Sequence, residues 1–328
     1  GWSLLGQADY ESKPLTAGLL QSNFSEEMKQ DPEYTVEMVR NAAEKSRAIA
    51  AAFALDLMVW PEALVMDNVD QPEVRDQIVE FTTVTGVPLF TGAARDEYET
   101  DTPRFYNSAA YFDSAGELRG EYDKVQLAPF GEYVPFSKAI PLIGNLFPPV
   151  VDNLEAGTEV KTFDVGERTF GPLICFEVLF PSMPETLRRM GADFLIVVTN
   201  LGWFGYMNIV PTELEAARLR AIETRLALVH CTNTGISGVF DPYGRFAPIQ
   251  GWFPRGEFVE IPEAITPERS LLLRMGGALP VAAPGKRLVP AGPRVIPNLA
   301  MALSVILVLI AVIVPRTSGK ARRVGTPS

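Results

Sequence analysis

An α/β layered domain is what this sequence predicts, and three observations carry the prediction. Strand-like apolar runs alternate with helix-spaced segments along most of the chain. Several strand runs come in pairs around short turns rich in Asp and Gly, the pattern of hairpins. Nothing repeats at a fixed period, and no low-complexity segment breaks the order. Such a mixture of helices and hairpin-linked strands indicates helices layered on sheets.

The chain has 328 residues, enough for one large domain or two ordinary ones with a substantial core. A first strand reads at 15–24, LTAGLLQSNF. Residues 33–55 place apolar side chains at helical spacing with alanine between them, which favours a helix. The run LMVW within 56–62 is a short buried strand ending at a Trp-Pro-Glu corner. A helix at 73–84 and the strand PLFTGAA follow. RFYNSAAYFDSAGELRGEYDK is a hairpin turning at Asp-Ser-Ala-Gly, and KTFDVGERTFGPLICFE another, turning at Gly166 and Glu167. A largely apolar strand at 193–200 precedes a helix at 212–226. LALVHCTNTGISGVFDPYGRF is a third hairpin, turning at Asp-Pro-Tyr-Gly. Residues 1–276 are therefore read as the α/β layered domain.

Proline, glycine, alanine and basic residues dominate 277–294, a linker composition. Beyond it, 295–315 begins VIPNLAMALSVILVLIAVIV. About 20 predominantly apolar residues suffice to cross a bilayer as a helix, so this segment is expected to be a transmembrane helix. A buried core helix is the alternative. Residues 316–328 form a basic tail with Arg316, Lys320, Arg322 and Arg323, which suits a cytoplasmic end. Lys286, Arg287 and Arg294 lie on the other side, so charge alone orients the span weakly. The opening GWSLLGQADYESKPL has no basic stretch followed by a long apolar core and does not read as a signal peptide.

The composition is globular, 47% hydrophobic and 21% charged, with a net charge of -11. A chain this acidic, with no basic face, is not expected to bind nucleic acid. Two cysteines, Cys175 and Cys231, exclude a disulfide framework but leave one bridge open in an oxidising compartment. His230 is the only histidine, so a zinc site lacks its usual ligands and no metal is expected. A histidine-dependent nucleophile would have to use His230, which shares a strand with Cys231. Adjacent strand residues point to opposite faces, which excludes a dyad of those two.

Three strand ends display reactive side chains: Glu62 in VWPEAL, Lys124 in YDKVQLAPFGEYVPF and Cys175 in GPLICFEVLF. Each alone has an ordinary explanation, as a loop acid, a surface lysine and a small core residue. Together they make chemical sense. A thiol with a pKa of ~8.5 needs a base to take its proton and a cation to stabilise the thiolate. Glu62 can be that base, and Lys124 can stabilise both thiolate and oxyanion. The backbone N–H of Phe176 can supply a second oxyanion donor.

The segments WPE, YDKVQLAPFGEYVPF, ICFEVLFP and NLGWFG, in this order, resemble the nitrilase (carbon-nitrogen hydrolase) superfamily. Within it, PFGEYVPF, CFEVLFP, TNTGISGVFDPYGR and the apolar C-terminal segment resemble the apolipoprotein N-acyltransferase family. The resemblance runs from about residue 15 to residue 315. It implies a nitrilase-like four-layer αββα sandwich with a C-terminal transmembrane helix. It also implies Glu62 as general base, Lys124 as oxyanion-stabilising lysine and Cys175 as nucleophile. Glu132 would orient Lys124 or Glu62. Glu177 matches a glutamate two residues after the family's nucleophile, and Trp203 and Phe204 fall in a loop near the pocket. The implied reaction is ping-pong and needs no cofactor: a phospholipid acyl donor leaves an acyl thioester on Cys175. The N-terminal amine of a diacylglyceryl-modified lipoprotein then takes the acyl chain, at the bacterial inner membrane with the catalytic domain on the periplasmic side.

The sequence also departs from that family. Its members normally begin with several membrane helices, whereas nothing comparable precedes residue 15, which leaves a fragment or a partner-supplied membrane part as readings. Phe176 stands where a tyrosine is common. EEMKQDPEY occupies a stretch that usually carries a tryptophan, Leu201 replaces an acid in NLGWFG, and RMGGALP lacks an aspartate. Two other functions stay open: an amidase or nitrilase acting on a small C–N substrate with the same three residues, and a non-catalytic membrane-anchored module. The apolar run at 139–151, AIPLIGNLFPPVV, suits membrane contact better than a water-soluble substrate.

Overall fold

Adjacent residues on the central strands feed two different apolar clusters, and that division builds the layers. In the computed structural model, which describes residues 15–98, 103–129, 131–134, 154–202, 209–249 and 255–261, Leu57 and Val59 join one cluster while Met58 and Trp60 join the other. Leu19 and Leu20, Phe90 and Leu89, and Tyr111 and Phe112 divide in the same way. This is the period-two geometry of a strand covered on both faces.

The first half runs β1 (Leu15–Gln21), α1 (Glu26–Gln30), a 3-10 turn (Pro32–Tyr34), α2 (Thr35–Ala52), β2 (Leu57–Val65), α3 (Pro72–Thr85), β3 (Leu89–Glu97), β4 (Arg104–Phe112) and β5 (Leu118–Asp123). The second half runs β6 (Phe163–Val165), β7 (Arg168–Ile174), a 3-10 turn (Cys175–Leu179), α4 (Ser182–Arg189), β8 (Phe194–Thr199), α5 (Ile209–Thr224), β9 (Ala227–Thr232), β10 (Gly238–Phe240), β11 (Phe246–Pro248) and β12 (Arg255–Ile261). Two six-stranded mixed sheets result, ordered β12-β1-β2-β3-β4-β5 and β11-β10-β9-β8-β7-β6. In each, three central strands are parallel and antiparallel strands flank them.

The two sheets face each other. Phe90 and Tyr111 of the first sheet meet Phe163 and Phe170 of the second, with the Phe90 and Phe170 rings 5.1 Å apart. The outer face of the first sheet buries Met58, Trp60 and Leu89 against Val39 and Ala43 of α2 and Val74, Ile78 and Phe81 of α3. Leu187 of α4 and Ala217 and Ala221 of α5 join the cluster of the second sheet. The order helix, sheet, sheet, helix is the expected αββα sandwich.

Most expected elements form, with shifted ends. The first strand stops at Gln21 rather than running to 24, because Ser25 caps α1 by accepting the Met28 N–H. Helix α1 was not read from the sequence, because five residues are too few to show a period. The third hairpin is a correction: the chain reverses twice, between β9 and β10 around TNTGIS and again at Asp241–Gly244 between β10 and β11. At the second reversal Asp241 Oδ1 accepts the Tyr243 and Arg245 N–H groups.

The chain divides into two units, Gly1–Arg287 and Leu288–Ser328. The expected linker at 277–294, span at 295–315 and basic tail at 316–328 lie outside the described residues. Among the described residues no helix is long and apolar enough to cross a membrane.

Candidate active site

Strands of both sheets bring Glu62, Lys124, Glu132, Cys175 and Glu177 together. Cys175 opens the 3-10 turn that ends β7, with a left-handed φ of 48°. That conformation costs a non-glycine residue of order 1 kcal/mol or more and clusters at functional turns. Here it lifts the side chain out of the strand's alternation. Glu62 occupies a second irregular strand segment: Ala63 has φ 52°, and the β2–β3 pairing shifts register between Trp60 and Val65. Lys124 follows the last residue of β5, and its N–H donates to the Asn107 carbonyl of β4 at 2.8 Å.

The charged groups are buried and joined. Lys124 Nζ donates to Glu132 Oε1 at 2.9 Å and to Glu62 Oε1 at 3.3 Å. Lys124 is 1% exposed, Glu62 5% and Glu132 8%. Glu132 Oε2 accepts the Ala128 N–H at 2.8 Å, so the loop that carries Glu132 closes on itself. Asn107 Nδ2 donates to both carboxylates, Glu62 Oε1 and Glu132 Oε1, each at 2.7 Å. Glu62 Oε2 accepts the Asn200 N–H at 2.6 Å.

Glu177 ties the cysteine turn to the lysine segment. Its Oε1 accepts the Val125 N–H at 2.7 Å and the Gln126 N–H at 3.1 Å, and its Oε2 accepts the Ile174 N–H at 2.8 Å. The Tyr122 hydroxyl donates to the same carboxylate at 2.9 Å. Tyr122, two residues before Lys124, Val125 and Gln126 after it, and Ile174 before Cys175 thus share one side chain. Phe176 is half-buried and packs edge-on against Phe180 at 5.5 Å. Trp203 and Phe204 lie outside the described residues.

Burial and charge set the proton affinities. Burial, then the charges of Glu62 and Glu213, push the Cys175 thiol well above its ordinary range, against the pull of Lys124 and the Thr199 hydroxyl. Burial also raises the Glu62 carboxyl; Lys124 opposes it, Glu132 adds to it and the Asn107 hydrogen bond opposes it. For Lys124, burial disfavours the ammonium, but Glu132, Glu62 and Cys175 outweigh it and hold the pKa well above normal. The resting arrangement is therefore a protonated thiol, a raised carboxylate and a fixed cation. A protonated thiol can act as a nucleophile where a carboxylate takes its proton. Among the described residues no group of three or more His, Cys, Asp or Glu side chains is placed to hold a metal ion.

The family profile described as Carbon-nitrogen hydrolase matches residues 16–265. The chain belongs to the carbon-nitrogen hydrolase family. Among its curated relatives, the apolipoprotein N-acyltransferase of Geobacter metallireducens is 32% identical over 242 residues, covering 74% of this chain and 46% of the relative. That of Agrobacterium fabrum is 40% identical over 201 residues, covering 58% and 36%. The chain thus spans less than half the length of these relatives. Among solved structures, a mutant of the Nesterenkonia AN1 amidase from the nitrilase superfamily matches with a TM-score of 0.59 at 21% identity, covering 81% of this chain and 95% of the amidase. Nit3 of Saccharomyces cerevisiae matches with a TM-score of 0.58 at 20% identity, covering 76% and 91%. These likenesses show the fold.

Four further residues belong to the site and were not singled out from sequence. Asn107 and Asn200 hold the Glu62 carboxylate, Lys29 donates to the Glu62 backbone carbonyl at 3.2 Å, and Glu213 of α5 raises both Cys175 and Glu62. Each lies far from Glu62 in sequence, and no spacing rule joins them. His230 and Cys231 do point apart. His230 Nδ1 pairs with the Ile236 carbonyl at 2.9 Å and its Nε2 faces Glu213. The Cys231 thiol faces the Leu20 and Val59 carbonyls of the other sheet. Cys175 and Cys231 are both free thiols, so the disulfide left open by the sequence does not form.

Proposed function

We propose that this chain is the catalytic domain of a lipoprotein N-acyltransferase working through a Cys175 acyl thioester. One observation carries the reading: buried Glu62 and Lys124, the latter also paired with Glu132, act with their charges on Cys175, in a chain whose curated relatives include apolipoprotein N-acyltransferases. In the first half-reaction Cys175 Sγ attacks the ester carbonyl carbon of a phospholipid and its proton passes to Glu62. Lys124 Nζ, with the Phe176 N–H, stabilises the oxyanion. The tetrahedral intermediate collapses with cleavage of the ester C–O bond, and the lysophospholipid oxygen leaves with the proton from Glu62. In the second half the free N-terminal amine of a diacylglyceryl-modified lipoprotein attacks the thioester. Glu62 takes the amine proton, the C–S bond breaks, and the proton returns to sulfur as the amide is released. Glu132 and Asn107 hold Lys124 and Glu62 in place. The expected membrane span at 295–315 suits substrates whose acyl chains stay in a bilayer at the inner membrane, with the catalytic domain on the periplasmic side.

Intact-mass spectrometry after incubation with phospholipid vesicles tests this. The expected result is one acyl adduct on the protein, absent in Cys175→Ala and discharged by a diacylglyceryl-modified lipopeptide. Ammonia release from small amides with no acyl adduct would replace this reading by the amidase one.

A further inference from the structure

A second lysine reaches Glu62, from an element that the reaction does not otherwise use. Lys29 of α1 is 2% exposed, and its Nζ donates to the Glu62 main-chain carbonyl at 3.2 Å. A buried ammonium is costly unless charge and hydrogen bonds compensate it. The compensating charges here are Glu26 on its own helix and Glu62 itself. The carbonyl it engages belongs to the stretch where β2 breaks register with β3 and Ala63 turns left-handed. The register break takes Glu62 out of the regular β2–β3 pairing, and Lys29 supplies its carbonyl with a donor. The same short helix holds the carboxylate end of Glu62 by a second route. Glu26 Oε1 accepts from Asn200 Nδ2 at 2.9 Å, and the Asn200 N–H donates to Glu62 Oε2 at 2.6 Å.

We infer that Lys29 is a positioning residue for Glu62: it fixes the main chain of the bulge that aims the carboxylate, and its cation favours the ionised form of that carboxylate. The inference rests on Glu62 acting as the base for Cys175, and it is independent of which acyl donor the thiol takes. Among the described residues, the titratable groups facing Glu62 are Lys29 from α1, Lys124 and Glu132 from the segment after β5, Cys175 from the turn after β7 and Glu213 from α5. Burial lowers the Lys29 pKa to about 8, against the charges of Glu26 and Glu62, so the cation is present at neutral pH.

The test measures the rate of Cys175 alkylation by iodoacetamide against pH in the full chain, with mass spectrometry locating the adduct. No acyl substrate is involved. Lys29→Met is expected to slow alkylation by ~10-fold or more, the scale of a misplaced catalytic group. It is also expected to move the acid limb of the profile to higher pH, because loss of a cation raises the Glu62 pKa. Lys29→Gln keeps a donor for the carbonyl and loses the charge, so the limb is expected to move with a smaller fall in rate. This variant decides the matter if circular dichroism shows Lys29→Met unfolded. A folded variant whose acid limb stays at the wild-type pH, whether or not the rate falls, overturns the inference. Glu62→Gln is the control: if its alkylation profile matches wild type, the reading of Glu62 as base fails, separately from Lys29.

Discussion

Among the described residues no lysine or arginine bonds to the Glu177 carboxylate, yet the Ile174, Val125 and Gln126 N–H groups and the Tyr122 hydroxyl all converge on it. Burial raises its carboxyl to about 7, against the Ile174 and Gln126 backbone bonds, the Lys124 charge and Tyr122. The native state therefore holds a proton between pH 4.5 and about 7 that the unfolded chain releases. The stability this gives is full below 4.5 and is lost as pH rises through about 7. Glu177→Gln cannot ionise, so wild type should lose stability relative to it between pH 5 and 8 in urea unfolding. A difference that does not change with pH contradicts this. Glu177 was legible in the sequence as a position two after the cysteine. That it joins the cysteine turn to the lysine segment was not, because its donors lie 51 and 52 residues away.

At the scale of the element, the β2 bulge depends on a residue of the neighbouring strand. A Cβ added at Gly92 of β3 would lie 2.5 Å from Glu62 Cα, 2.7 Å from the Pro61 carbonyl oxygen and 2.8 Å from the Ala63 nitrogen. These are backbone atoms and cannot rotate away. Gly92→Ala should cost about 2–3 kcal/mol of stability, in the range of overpacked cores. It should also slow Cys175 alkylation, since the bulge carries Glu62. Thermal unfolding with the alkylation assay checks both; an unchanged melting temperature contradicts the expectation. The strand PLFTGAA was legible from its apolar run, but which glycine passes beneath the Trp-Pro-Glu corner is a matter of register between strands. Helix α1 was hidden for a different reason, its length, and it brings Lys29 and Glu26 to the site.

For the whole molecule, the sheets are held together by aromatic side chains. Phe170 is fully buried and meets Phe90, Tyr111, Phe163 and Phe194 at ring-centroid distances of 5.1, 5.4, 5.5 and 5.8 Å. Phe170→Ala should destabilise by about 3–5 kcal/mol, the usual cost of emptying a large aromatic from a core. Equilibrium urea unfolding measures it, and a loss below about 1 kcal/mol would mean that the sheets close over the gap. This packing also explains the site's address. Facing sheets bring the register break of β2 and the end of β5 against the ends of β7 and β8, so Glu62, Lys124, Cys175 and Asn200 meet although they come from opposite halves of the chain.

The sequence by itself determined the α/β class, most of the strands and helices, and the candidate residues Glu62, Lys124 and Cys175. Apolar periodicity and turn composition are local properties, and the motifs are short enough to read in one dimension. Only the tertiary structure decided that Glu132 and Asn107 share the Lys124 and Glu62 charges, that Glu177 braces two loops and that Lys29 supports the bulge. Apart from the local Ile174–Glu177 bond, those contacts join residues 8 to 62 positions apart. A buried charge is stabilised by whatever the fold places beside it, and a sequence does not state what that will be.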